Sequence, residues 1–279
     1  MSAPPALRLI DRVSFTGAVG LVFWDVATRE PVRDGLAVSI APSSRPGLVR
    51  PLFANDVGIW VSAPLPPLGR GATWRVQVSD PAGRFLPLRI ELAASGVPRF
   101  KWPAALPKPS VAKARSGGAQ PSPVPLFSAP WRQVGPTAAQ VRAQLVHASD
   151  QREAAWALLT VENAGRTRGI GLADRRGSVV VHFPWPERPP RRLADPQPAD
   201  GGLTWQIEVQ GFGAPPAGDQ EPEEIPDLEG VLAKLDEPRT LLSEEGQPGA
   251  LPAQALDFGR TAILVTKSEG PASLMLAAP

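Results

Sequence analysis

Alternation of apolar and polar residues with a period of two is the main pattern along this chain. Residues 18–25 (AVGLVFWD), 36–40 (LAVSI), 58–63 (GIWVSA), 73–78 (TWRVQV) and 85–92 (FLPLRIEL) read as short strands. Turn-rich pieces such as Thr28-Arg-Glu-Pro and Asp80-Pro-Ala-Gly separate them. Successive side chains on a strand face opposite sides, so Trp74, Val76 and Val78 point one way and Thr73, Arg75 and Gln77 the other. The spacing suits a β-sandwich.

The same order of features returns in the second half. Thr73-Trp-Arg-Val-Gln-Val matches Thr204-Trp-Gln-Ile-Glu-Val position by position. Ala54-Asn-Asp-Val-Gly before Ile-Trp-Val matches Ala173-Asp-Arg-Arg-Gly before Ser-Val-Val-Val, and each leads into a proline-rich exit. The 26–38 segment has a looser counterpart beginning at Ala148. The offset is 119 residues at the Ala54/Ala173 match and 131 at the Thr73/Thr204 match, which places a longer loop between the middle strands of the second copy.

The pattern predicts an all-β chain of two tandem transthyretin/Ig-like β-sandwiches. Domain one spans 7–98, a proline-rich linker 99–136, and domain two 137–278 with an acidic insert at 213–259. The linker carries Pro103, Pro107, Pro109, Pro121, Pro123, Pro125 and Pro130, and is expected to be extended, part polyproline II and unpacked. Trp102 and Trp131 would anchor its ends. Within the insert, residues 225–235 predict one short helix with Asp227 at its start, and residues 261–267 and 273–277 supply closing strands.

Asp25-Val-Ala-Thr-Arg-Glu-Pro-Val-Arg-Asp-Gly, then Asn55-Asp-Val-Gly-Ile-Trp with Leu-Pro-Pro after it, then Trp74-Arg-Val-Gln-Val, resembles the carboxypeptidase-regulatory-like, or transthyretin-like, domain family. Pro31 fixes φ in the first turn and Gly58 lets the chain reverse before Trp60. The family's aromatic is displaced one place to Trp60, and the second half lacks the Pro and Gly of the first turn. The resemblance covers most of domain one and, more loosely, 139–210. It implies non-catalytic modules that serve as folding, adhesive or structural units. The overall build is also similar to accessory proteins of phage-tail-like contractile injection particles.

Composition narrows the reading. The 279 residues include 35 Pro and 26 Gly, too many breakers for a mostly helical fold. The absence of Cys excludes disulfides, thiolate metal sites and cysteine nucleophiles. No basic, apolar leader opens the sequence, so the expected location is the cytoplasm, with export only inside a larger particle. The pI near 9.4 reflects the lack of groups titrating between pH 6 and 9, since the formal charge is only +2. Residues 1–125 carry 15 Lys/Arg against 7 Asp/Glu, net +8, and 126–279 carry 14 against 20, net −6. Opposed halves favour head-to-tail association with copies or partners over a nucleic-acid face.

No catalytic constellation emerges. There is no G-x-S-x-G, no P-loop order and no H-E-x-x-H; His147 and His182 stand alone on predicted strands. The acidic run 219–227 lacks the spacing of a calcium loop. The expected partner-binding residues are Trp185, Arg188, Arg191 and Arg192 beside the 183–187 turn, and Glu221, Glu223 and Glu224 in the acidic insert. The sequence thus predicts no enzyme activity and no cofactor or metal. It points to a structural or adaptor subunit of a multi-subunit assembly, most plausibly a phage-tail-like injection particle, with protein subunits or its own copies as partners and no membrane insertion. The alternative is a carbohydrate or cell-surface module binding glycan through an exposed Trp185 or Trp60.

Overall fold

The computed structural model describes residues 19–62, 72–104, 106, 109, 121–187, 203–213, 222–245, 249–267, 270 and 272–277. In chain order the first half forms β1 (Gly20–Asp25), β2 (Glu30–Val32), β3 (Ala37–Pro42), β4 (Arg50–Pro51), β5 (Phe53–Ala54), β6 (Trp60–Val61), β7 (Trp74–Ser79), β8 (Leu88–Leu92) and β9 (Ser122–Leu126). The second half forms β10 (Ala138–His147), β11 (Leu158–Asn163), β12 (Arg166–Leu172), β13 (Ser178–Pro184) and β14 (Thr204–Phe212). It continues through α1 (Leu228–Ala233), a 3-10 turn, β15 (Pro238–Arg239), β16 (Gln254–Asp257), β17 (Thr261–Leu264) and β18 (Leu274–Leu276). The chain is all-β in architecture, two β-sandwiches in tandem.

Both sandwiches share one pairing scheme. The first strand is flanked by an antiparallel partner, β6 on β1 and β13 on β10, and by parallel partners, β9 on β1 and β17 with β18 on β10. The facing sheet is β4-β3-β7-β8 in one half and β12-β11-β14 with β15 and β16 in the other. The turns entering β6 and β13 are the same object. Asn55 Oδ1 accepts from Val57 and Ile59 N–H, and Asp174 Oδ1 accepts from Arg176 and Ser178 N–H. Gly58 and Gly177 then take φ of 80° and 79°, a left-handed region that side chains resist; at Gly177 a Cβ would also run into the Leu145 carbonyl.

Part of the proline-rich stretch assigned to a linker is a strand. β9 pairs with β1 from Leu21 to Asp25, and Val124, Leu126 and Phe127 are fully buried. In a parallel ladder alternate residues turn both backbone groups to the partner. The Leu126 carbonyl accepts from Val26 N–H, so Ser122, Val124 and Leu126 face β1, and Pro123 and Pro125 face the open edge. Proline is tolerated where no N–H is needed, and there it blocks further strand addition. The acidic insert is likewise structural, since it supplies α1, β15 and β16.

Two apolar clusters form the core. One fills the second sandwich with Val141, Leu145, Leu159, Val161, Val181, Phe183, Ile207 and Leu256. The other joins Leu21, Phe23, Ile40, Val76, Leu88 and Ile90 of the first sandwich to Trp156, Leu158, Leu172, Phe212, Leu228 and Val231 from the second half. β11 therefore buries both faces, Leu159 and Val161 inward and Leu158 toward the first sandwich, which explains why Leu158, Leu159, Thr160 and Val161 are all buried in succession.

Candidate functional site

The junction between the sandwiches is the most elaborate site among the described residues. Its apolar half is a clamp. Asp227 caps α1 by accepting from Gly230 N–H at 3.1 Å, and the Pro226 carbonyl accepts from Arg89 N–H at 2.9 Å, so this segment completes the edge of β8. Leu228, Val231 and Leu232 are buried below it. Trp156 holds the clamp at φ 56°, its indole N–H donating to the Glu223 carbonyl at 2.9 Å and its own carbonyl accepting from Lys234 Nζ at 2.9 Å. Burial lowers the Lys234 pKa, with Glu237 opposing.

Its polar half is a continuous chain of hydrogen bonds. Asp25 is bound two-pronged by Arg132, with Nη1 to Oδ1 at 3.0 Å and Nη2 to Oδ2 at 2.6 Å, and also accepts from Ala27 N–H and the Thr28 hydroxyl. Arg132 Nη1 donates to Ser128 Oγ at 3.1 Å, and Ser128 Oγ lies 3.2 Å from His182 Nδ1. With the hydroxyl proton directed to Nδ1, the imidazole carries its own proton on Nε2 and donates to Gln140. The Gln140 amide, oxygen toward His182 and Arg142, donates to Thr261 Oγ1 at 2.8 Å. Burial, helped by Arg132 and Arg142 and opposed by Asp25, pushes His182 down to about 4. Ser128 is 5% exposed and His182 1%, so the pair is a strut closed to substrate. Arg132 and Arg84 also stand over the Phe85 ring, at 4.7 and 5.3 Å from its centroid.

The sequence-predicted residues do not converge. Trp185 is half-buried; its indole N–H donates to the Pro136 carbonyl at 3.1 Å, and its ring packs 4.9 Å from Phe258 and 5.5 Å from Trp205. Trp60 is buried, edge-on to Phe23 at 5.7 Å. The exposed Trp60 expected for glycan stacking is thus a core residue, and Trp185 is committed to an aromatic cluster. Glu223 is ion-paired with Arg89 of the first half at 2.8 Å, so part of the charge polarity is satisfied within one chain. Glu224 is exposed, and Arg188, Arg191, Arg192 and Glu221 lie outside the described residues. Trp102 packs on the core as expected of an anchor, whereas Trp131 is 62% exposed against Gly83. Of the residues that make the junction, Asp25 opens the quoted first-turn motif without having been assigned this role, Trp156 lies in the apolar run of residues 154–159, and Ser128 and Arg132 had no signal.

No family model matches the chain, and no curated protein matches it. Among solved structures it is similar to the Bacillus anthracis TIE protein at 11% identity and TM-score 0.22, covering 92% of this chain and 34% of that one. The shaft pilin SpaA of Lactobacillus rhamnosus GG gives 10% identity, 94% and 98% coverage and the same TM-score. A streptococcal ancillary pilin gives 9%, 93%, 68% and again 0.22. The chain spans about a third of the length of the first, and scores of this size carry no argument about role.

Proposed function

We propose that this protein is a non-catalytic structural adaptor, a rigid two-module spacer within a multi-subunit assembly. The observation that carries the reading is the junction. A continuous apolar cluster, the Ser128–His182 contact braced by the buried Asp25–Arg132 pair, and the α1 clamp lock the two sandwiches at one spacing. Inter-domain contacts within one chain are usually small and permit motion. A large apolar junction with a polar strut through it suits a part that transmits position rather than one that opens around a substrate. The resemblance of the first half to carboxypeptidase-regulatory-like domains supports a structural role, and the assembly class we propose is a phage-tail-like contractile injection particle.

The test has two readouts. Small-angle scattering and NMR relaxation of the full chain should report one rigid body with a single tumbling time. Affinity purification from native cells should recover stoichiometric subunits of an assembly that misassembles when the chain is deleted. Independent tumbling of the sandwiches, or normal assemblies without the chain, would overturn the proposal.

A further inference from the structure

A groove of about 430 Å³ opens on the second sandwich beside β14. β16 covers the edge of β14 at Thr204–Ile207 and β15 covers it at Gly211–Phe212. Between them, among the described residues, 208–210 have no strand on that edge. Half-buried Val209 and Leu251 line the groove, with the core residue Leu241 at its floor. Glu162 and Glu208 also line it, directly opposite each other across β11 and β14. Like charges in register destabilise a sheet, and neither carboxylate has an ion pair among the described residues. The lining cation, Arg239, is engaged elsewhere, donating to the Gly213 carbonyl and paired with Glu237.

The first sandwich presents an exposed apolar loop with a basic residue. Its β3–β4 loop is held by two turns, Arg45 N–H to the Pro42 carbonyl and Leu48 N–H to the Arg45 carbonyl. Leu48 and Val49 at its end, just before β4, are 54% and 59% exposed, and Arg45 in mid-loop is exposed without an ion pair among the described residues.

We propose that the 45–50 loop of one copy docks into the 208–210 groove of a second copy. Leu48 and Val49 then meet Val209 and Leu251, and Arg45 relieves the Glu162/Glu208 repulsion. Because loop and groove lie on different sandwiches, the contact is heterologous and propagates head to tail. The net +8 of residues 1–125 and −6 of 126–279 steer the same orientation. The inference rests on the adaptor reading and names the partner as the chain itself.

Sedimentation velocity of the full chain, from micromolar to millimolar, tests it. The wild type should form a concentration-dependent series of oligomers that shrinks as NaCl rises from about 0.05 to about 0.5 M. Glu208→Arg and Arg45→Glu should each weaken association at least about tenfold while far-UV circular dichroism stays unchanged. An equimolar mixture of the two variants should regain it, because the charges are complementary again across both contacts. A monomeric wild type, single variants that associate like wild type, or a mixture that stays dispersed would each overturn the inference. A monomeric wild type that still captures assembly subunits would sink this contact and leave the adaptor reading standing.

Discussion

Replacing Arg132 by methionine isolates the buried ion pair of the junction. The Arg132 and Asp25 side chains are 10% and 6% exposed, so the substitution strands a carboxylate where water cannot compensate. Breaking a buried pair on one side costs about 3–5 kcal/mol. Asp25 keeps its bonds from Ala27 N–H and the Thr28 hydroxyl, which places the expected loss near the lower end, about 3 kcal/mol. For a chain of this size that is a fall in melting temperature of roughly 6–12 °C. Urea unfolding followed by tryptophan fluorescence is the assay. Arg99→Met is the control, since the Arg99–Glu91 pair joins side chains 51% and 28% exposed and should lose about 0–1 kcal/mol. In an Asp25→Asn background the cost of Arg132→Met should shrink by at least about 1 kcal/mol. If Arg132→Met costs no more than Arg99→Met, the buried ion pair does not brace the junction and the reasoning fails.

Burial of neutral His182 makes stability depend on pH. Its folded pKa is lowered from 6.5 to about 4, so the unfolded chain binds more protons between those values. The stabilisation is full above pH 6.5 and is lost as pH falls toward 4, up to about 3 kcal/mol; His182→Leu should flatten that slope, and an unchanged slope would refute the assignment. Trp156→Ala should cost about 3–5 kcal/mol and split the single unfolding transition in two, checked by calorimetry. Ala164 and Gly165, between paired Asn163 and Arg166, both have positive φ, so Ala164→Asn should stabilise by roughly 0.5–1 kcal/mol in thermal melts, and destabilisation would contradict the turn geometry.

The strands were legible because a sandwich strand with one wet face alternates, as Trp74, Val76 and Val78 do on β7. β14 takes the same place in the second sandwich, with Trp205 and Ile207 buried where the matching segment has Trp74 and Val76. β9 was hidden because proline density reads as linker until the parallel partner shows which N–H groups are dispensable. The junction was hidden for another reason. Asp25 and Arg132 are 107 residues apart and Ser128 and His182 are 54 apart, and no local pattern encodes a pair brought together by two closed sandwiches. Charge polarity was readable as a sum but not as a partition. Glu223 spends its charge on Arg89 within the chain, whereas Glu162 and Glu208 keep theirs.

The Pro226 carbonyl that completes the edge of β8 has a temporal consequence for synthesis. From the end of β8 at Leu92 to the start of α1 at Leu228 the ribosome must add 136 residues, roughly 7–27 s of translation. For that interval the nascent first sandwich lacks α1 over its core and the Pro226 partner of Arg89, and until codon 156 it lacks Trp156 as well. The first half therefore stays incomplete long after its own strands have been made, and messenger sequences that slow translation between codons 93 and 228 lengthen that interval.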